Sequence, residues 1–179
     1  VTTYVALLHG INVGGKRRVP MQTLRELLTG LGGGAVRTHL NSGNAVFTHD
    51  GAGPEELTAS LERALADRLG FPVRCVVREA ADLRRVIDAN PFAGRDFLPA
   101  RLLVTFLSAP ARPGPVADLD PAAYLPDVFA LGEREVYLLC PDGLRDSRLA
   151  QALARRSPAE VATARNWNTV SRLAELAGV

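Results

Sequence analysis

Apolar and polar positions alternate between two periods along the chain, and the changes of period mark its elements. Tyr4-Val5-Ala6-Leu7-Leu8 lies within a run that reads as a buried strand over residues 3–9. Pro20 suits the first turn of a helix, and Met21, Leu24, Leu27, Leu28 and Leu31 then recur at helical spacing until Gly32-Gly33-Gly34 ends the pattern. Residues 35–40 and 45–49 read as strands, joined through Asn41-Ser42-Gly43-Asn44, whose small polar residues and glycine suit a hairpin. After a break at residues 51–54, a second helix carries Leu57, Leu61, Ala64 and Leu65 inward. Glu55 and Glu56 sit in its first turn, where negative charge favours the helix dipole, and Gly70 ends it. Residues 71–77 read as a further strand.

The order over residues 1–78 is therefore β-α-β-β-α-β, the split arrangement of ferredoxin-like domains. Residues 79–100 hold a short helix, 80–89, and a linker after Asn90-Pro91-Phe92. Residues 101–179 begin the pattern again: a strand at 101–108, a weak helix among prolines at 113–119, hairpin strands at 128–131 and 135–140, and a helix at 146–155. A short extended piece near 161–164 follows, then a final helix with Val170, Leu173, Leu176 and Ala177 on one face. The expected fold class is α+β, with two ferredoxin-like (α/β-plait) units, the second shorter and less regular, and no residue-level repeat between them. A right-handed crossover makes the first two strands parallel, and the third returns antiparallel between them. The loop at residues 10–18 and the turn at 41–44 should then be neighbours.

At 179 residues and 47% hydrophobic, the chain has material for a real core, in one medium domain or two small ones. It has no run of about 18 apolar residues and its start lacks the pattern of a secretion signal, so the expectation is a cytoplasmic protein with no membrane partner. Cys75 and Cys140 stand in separate apolar runs, and neither they nor His9, His39 and His49 show metal-ligand spacing. They imply no metal and no cofactor. The net charge of +2 conceals a gradient. Residues 1–49 hold Lys16, Arg17, Arg18, Arg25 and Arg37 against Glu26, which gives +4 and leaves −2 for the rest.

That charge gathers on Gly10-Ile11-Asn12-Val13-Gly14-Gly15-Lys16-Arg17-Arg18-Val19-Pro20. The spacing from Gly10 to Lys16 fits a Walker-type phosphate loop, but Arg17 occupies the place of the Ser or Thr that would hold magnesium. The helix also starts late, and the expected antiparallel sheet is wrong for that fold. Two readings remain. Gly10, Asn12, Gly14, Gly15, Lys16 and Arg17 form a phosphate or carboxylate site, or they form a structural glycine turn with solvated basic residues. Asn41, Ser42 and Asn44 are donors and acceptors for a ligand, or satisfy their own hairpin. In Arg165-Asn166-Trp167-Asn168-Thr169, the residues Arg165, Asn166 and Asn168 could hold an anion at a helix start, or Trp167 packs the helix and the asparagines cap it. His9 and His39 stand near the same strand ends and are acid/base candidates, while the turn at 142–148 reads as a helix cap.

Leu7-Leu8-His9-Gly-Ile-Asn-Val-Gly-Gly-Lys16, Leu40-Asn-Ser-Gly-Asn44 and Thr163-Ala-Arg-Asn-Trp-Asn-Thr-Val170 together resemble the bacterial domain of unknown function family number 1697. The resemblance covers nearly the whole chain. It implies two α/β-plait units and no established activity. This chain departs from the family pattern at His9, where arginine is common, at Asn41, where glutamine is common, and at Arg148, where lysine is frequent. If that arginine contributes to anion binding, His9 weakens the role near neutral pH, where an unperturbed imidazole is mostly uncharged.

The preferred expectation is a protein that binds a phosphate-bearing or other anionic ligand at its Gly-rich loop, a nucleotide or a nucleic-acid backbone. The alternatives are an enzyme acting on a small anionic metabolite, with Asn12, Asn44 or His9 polarising it, and an interaction or oligomerisation module pairing through sheet edges. Tyr4 and Phe47 are the strand aromatics that an RNA-recognition sheet would expose, against a role in the core.

Overall fold

The protein is described by a computed structural model covering residues 1–179. It divides into two compact units, Val1–Arg85 with Arg172–Val179, and Val86–Ser171. The division falls inside a helix, where the sequence reading sets it after residue 78, and the end of the chain belongs with the first unit rather than the second.

In the first unit the elements run β1 (Thr2–Leu8), α1 (Met21–Gly30), β2 (Gly34–His39), β3 (Asn44–His49), α2 (Pro54–Leu69), β4 (Cys75–Glu79) and α3 (Ala80–Asp88), which leads into the second unit. The sheet order is β2-β3-β1-β4, and every neighbouring pair is antiparallel. Because strand side chains alternate between faces, Tyr4, Ala6 and Leu8 join Ala45, Phe47, Cys75 and Val77 on the side that α1 and α2 cover. The helices meet them through Leu24 and Leu28, and through Leu57, Leu61 and Leu65. Tyr4 and Phe47 stack in this core with ring centroids 5.8 Å apart, and the Tyr4 hydroxyl donates to the Ala52 carbonyl at 2.8 Å. Their rings are therefore part of the core and present no face to RNA.

Register fixes the end of the sheet that matters. Leu7 and His39 both pair with Asn44, and Leu8 pairs with Cys75. The end of β1, the end of β2 and the starts of β3 and β4 thus share one edge. Residues 71–74 read as strand in the sequence but lie outside it, since Pro72 has no N–H for a ladder and Arg17 takes its carbonyl.

The second unit contains β5 (Leu102–Leu107), β6 (Val128–Leu131), β7 (Glu135–Leu139), α4 (Arg148–Arg155), β8 (Ala162–Asn166) and the start of α5 (Trp167–Ala177). Its sheet order, β6-β7-β5-β8, repeats that of the first unit position for position, again all antiparallel. The helix expected at 113–119 is reduced to short 3-10 turns, Gly114–Val116 and Pro121–Tyr124. Pro113, Pro115 and Pro121 each lack the N–H that a longer helix needs. Ser147 caps α4, accepting from the Ala150 N–H at 3.0 Å while donating to Asp127 at 2.7 Å. No helix of either unit is long and apolar enough to cross a membrane.

Both cysteines are free and buried. Burial pushes the Cys75 thiol far above its ordinary range, and it raises Cys140 as well. Only the thiolate is nucleophilic. Both thiols should therefore stay unmodified by an aromatic disulfide reagent at pH 8 and react together once urea unfolds the chain, as followed by thiolate release. Rapid reaction of either in the native protein would contradict this packing.

Candidate anion site at one end of the first sheet

The glycine-rich segment is held at both ends by the core. Ile11 and Val19 are buried in the first unit's apolar cluster, whereas every residue from Val13 to Arg18 is exposed. Between these feet the chain forms a small β-hairpin. The Asn12 N–H donates to the Arg17 carbonyl and the Lys16 N–H to the Val13 carbonyl, both at 3.1 Å. Gly14 and Gly15 form its turn with φ of 59° and 72°. Positive φ at both central positions is the type I′ geometry that fits a two-residue hairpin, and glycine supplies it without steric cost. The segment is thus a ribbon that turns back on itself, and not a cradle closing on a helix.

Asn12 stitches the ribbon to its surroundings. Its Oδ1 accepts from the Val19 N–H at 2.8 Å, and its Nδ2 donates to the Val19 carbonyl at 2.9 Å and the Asn41 carbonyl at 2.7 Å. The side-chain amide pairs with Val19 as another peptide unit would. The neighbouring turn is fixed just as closely. The Leu8 N–H donates to the Gly43 carbonyl at 2.8 Å, and the Asn44 Nδ2, fully buried, donates to the His39 carbonyl at 2.8 Å and to Ser42 Oγ at 2.9 Å. The expected adjacency of loop and turn is present. Asn12, Ser42 and Asn44 take part in holding it together.

What the two loops enclose is a cleft of about 430 Å³ lined by Asn12, Gly15, Arg18, Val19, Pro20 and Asn41. Arg18 is exposed and bonds no other group of the chain. Pro20 precedes α1, whose start has no side-chain cap and no acidic residue in its first turn. Pro20 thus brings the residue just before the helix start, towards which the positive end of the helix dipole points, to the same cleft as Arg18.

Residues 1–137 match the family described as "Protein of unknown function (DUF1697)". The chain belongs to the DUF1697 family. The match takes in the hairpin, the 41–44 turn and all of the cleft's lining, and it ends at Tyr137, before the 163–170 segment. Among solved structures, the conserved bacterial protein SP0830 from Streptococcus pneumoniae is similar at 25% identity and a TM-score of 0.80, over 98% of each chain. The comparison with curated proteins found no match.

In this DUF1697 chain the other residues singled out by the sequence take different places. Arg17 turns away from the cleft: its guanidinium lies 5.4 Å over the Phe71 ring and donates to the Pro72 carbonyl. Lys16 is exposed on the hairpin outside the cleft, and Gly10, with φ of 62°, opens the loop. His9 is exposed beside Arg74, whose carbonyl accepts its N–H, and His39 is half-buried. Arg165, Asn166 and Asn168 lie in the second unit. Arg165 is buried and donates to Thr163 Oγ1 at 2.8 Å and the Ala164 carbonyl at 2.9 Å; burial pulls its pKa down to about 10. Asn166 caps α5 by accepting from the Thr169 N–H at 3.0 Å, and Asn168 is exposed. No group of three or more His, Cys, Asp or Glu is placed to hold a metal ion. The basic residue that lines the cleft is Arg18, which the sequence reading did not include among its candidate ligand-binding residues.

Proposed function

We propose that the cleft between the hairpin and the 41–44 turn binds the anionic group of a ligand, a phosphate in the first instance. The observation that carries this reading is Arg18, which bonds nothing within the chain and faces the cleft beside the uncapped start of α1. The anion would meet the free Arg18 guanidinium and Asn41, with the start of α1 behind Pro20, on loops already held by Asn12 and Gly43. A rigid frame avoids ordering cost on binding. The surrounding +4 of residues 1–49 favours the approach of a nucleotide or a phosphate backbone. We read the scaffold as ferredoxin-like in each unit, because the β2-β3-β1-β4 order and the β-α-β-β-α-β sequence of elements support it in the first, and the second repeats the strand order.

Isothermal titration with inorganic phosphate and with a nucleoside triphosphate at low salt tests the reading. Saturable binding is expected, and Arg18→Ala should weaken it about 10-fold, the worth of one hydrogen bond to a charged group. Absence of heat with both ligands, or affinity unchanged in Arg18→Ala, would remove the site.

A further inference from the structure

We infer that the partner offered by this edge is duplex nucleic acid, gripped through its phosphates by the exposed hairpin. The inference rests on the anion-binding reading of the cleft and extends it from one phosphate to a row of them. The hairpin's three cations do not converge. Arg18 borders the cleft, Lys16 stands outside it, and Arg17, exposed, lies across Phe71 and donates to the Pro72 carbonyl. One phosphate can meet one of these groups. A polymer with regularly spaced phosphates can meet all three. No acidic residue precedes Glu26 in the chain, and Arg74 at the same edge is offset by Glu62 at 3.2 Å.

The same surface argues against the other large polyanions. Single strands are held by stacking their bases on exposed aromatic rings, but Tyr4 and Phe47 are in the core and Phe71 is covered by Arg17. An anionic membrane needs an apolar face to enter the headgroup layer. Here the large exposed apolar residues are Val13 and Leu40, with no Trp or Tyr beside them. A two-stranded ribbon, by contrast, has the width that a duplex major groove admits, and phosphate contacts require no base to be exposed.

The test is fluorescence anisotropy of a labelled DNA duplex of about 20 base pairs, run beside its single strand, phosphatidylserine vesicles and inorganic phosphate. A dissociation constant of about 10⁻⁴ to 10⁻⁶ M is expected for the duplex at about 50 mM salt, as for non-specific binding. Three neutralised phosphates imply a salt slope of about −2.7, so affinity should fall about 40-fold on reaching 200 mM. The double variant Lys16→Ala/Arg18→Ala should weaken binding at least 10-fold and leave only about a 4-fold salt effect. Both side chains are exposed and bond no other group, so its urea midpoint should match the wild type, which separates lost binding from lost folding. Lys16→Ala alone should weaken the duplex complex and leave phosphate binding unchanged, because Lys16 does not line the cleft. No duplex binding, tighter binding of the single strand, or capture by vesicles in place of duplex each overturns the inference. Phosphate binding without duplex binding overturns it alone. Duplex binding without phosphate binding overturns the cleft reading instead.

Discussion

Gly43→Ala should lower the unfolding free energy by about 3 to 5 kcal/mol, as read from urea denaturation. Two causes act on the same atom. Gly43 has φ of 90°, where an L side chain is strained, and an added Cβ would come within 2.8 Å of both Leu8 Cβ and Ile11 Cδ1. Backbone strain of this kind costs about 1 to 3 kcal/mol, and overpacking typically adds about 1 to 3. Neither neighbour can yield easily: Leu8 is in β1, Ile11 is the first foot of the hairpin, and both are buried. Gly14→Ala provides the contrast. Its φ of 59° is also positive, but nothing lies within 4 Å of the new atom. The cost there should be only the conformational part, about 1 to 2 kcal/mol. Equal losses in the two variants would show that the contact of turn and loop does not constrain the fold.

Asn12→Ala should cost about 3 kcal/mol. Three hydrogen bonds disappear together, each worth about 1 kcal/mol net, and the Val19 N–H and carbonyl lose their partner next to a buried side chain. Asn12 also has φ of 54°, a region that asparagine tolerates better than alanine. Asn12→Asp should not restore the loss, because a carboxylate keeps the acceptor for the Val19 N–H but has nothing to donate to the carbonyls of Val19 and Asn41. The checks are the urea midpoint and slope; a shift corresponding to less than about 0.5 kcal/mol would mean that the clamp is dispensable. In the same variant, phosphate affinity should fall even though Arg18 is intact, since Val19, next to Arg18, loses both of its bonds to the Asn12 amide.

These expectations depend on features that the sequence discloses unequally. The first unit was legible because its apolar positions change period cleanly: helical from Met21 to Leu31, alternating through Ala45 and Phe47. Chain-crossing rules then placed residues 10–18 beside 41–44, an adjacency realised by the Asn12–Asn41 bond. The role of Asn12 itself was not legible. An amide in a glycine-rich loop serves a ligand or the backbone with the same atoms, and the partner that decides, Val19, is set by how the ribbon folds back. Arg17 and Arg18 are likewise indistinguishable in composition; one is drawn onto Phe71 by a cation–π contact and the other is left facing the cleft. In the second unit, prolines cut the expected helix to isolated turns, and Arg165, which the sequence offered as an anion holder at a helix start, is buried and donates to Thr163 and the Ala164 carbonyl. Local pattern reports which face of an element is apolar. It does not report which polar group a neighbouring chain segment will claim.

The two buried feet of the hairpin have a consequence for how such a surface changes over time. Ile11, Val19 and the Asn12 amide secure the excursion from below, so the side chains of Val13, Lys16 and Arg18, which are exposed, contribute little to folding. Their chemistry can drift, or be exchanged wholesale, on an unaltered scaffold. In that sense Val13, Lys16 and Arg18 form an interchangeable set on a hairpin whose turn is fixed by Gly14 and Gly15.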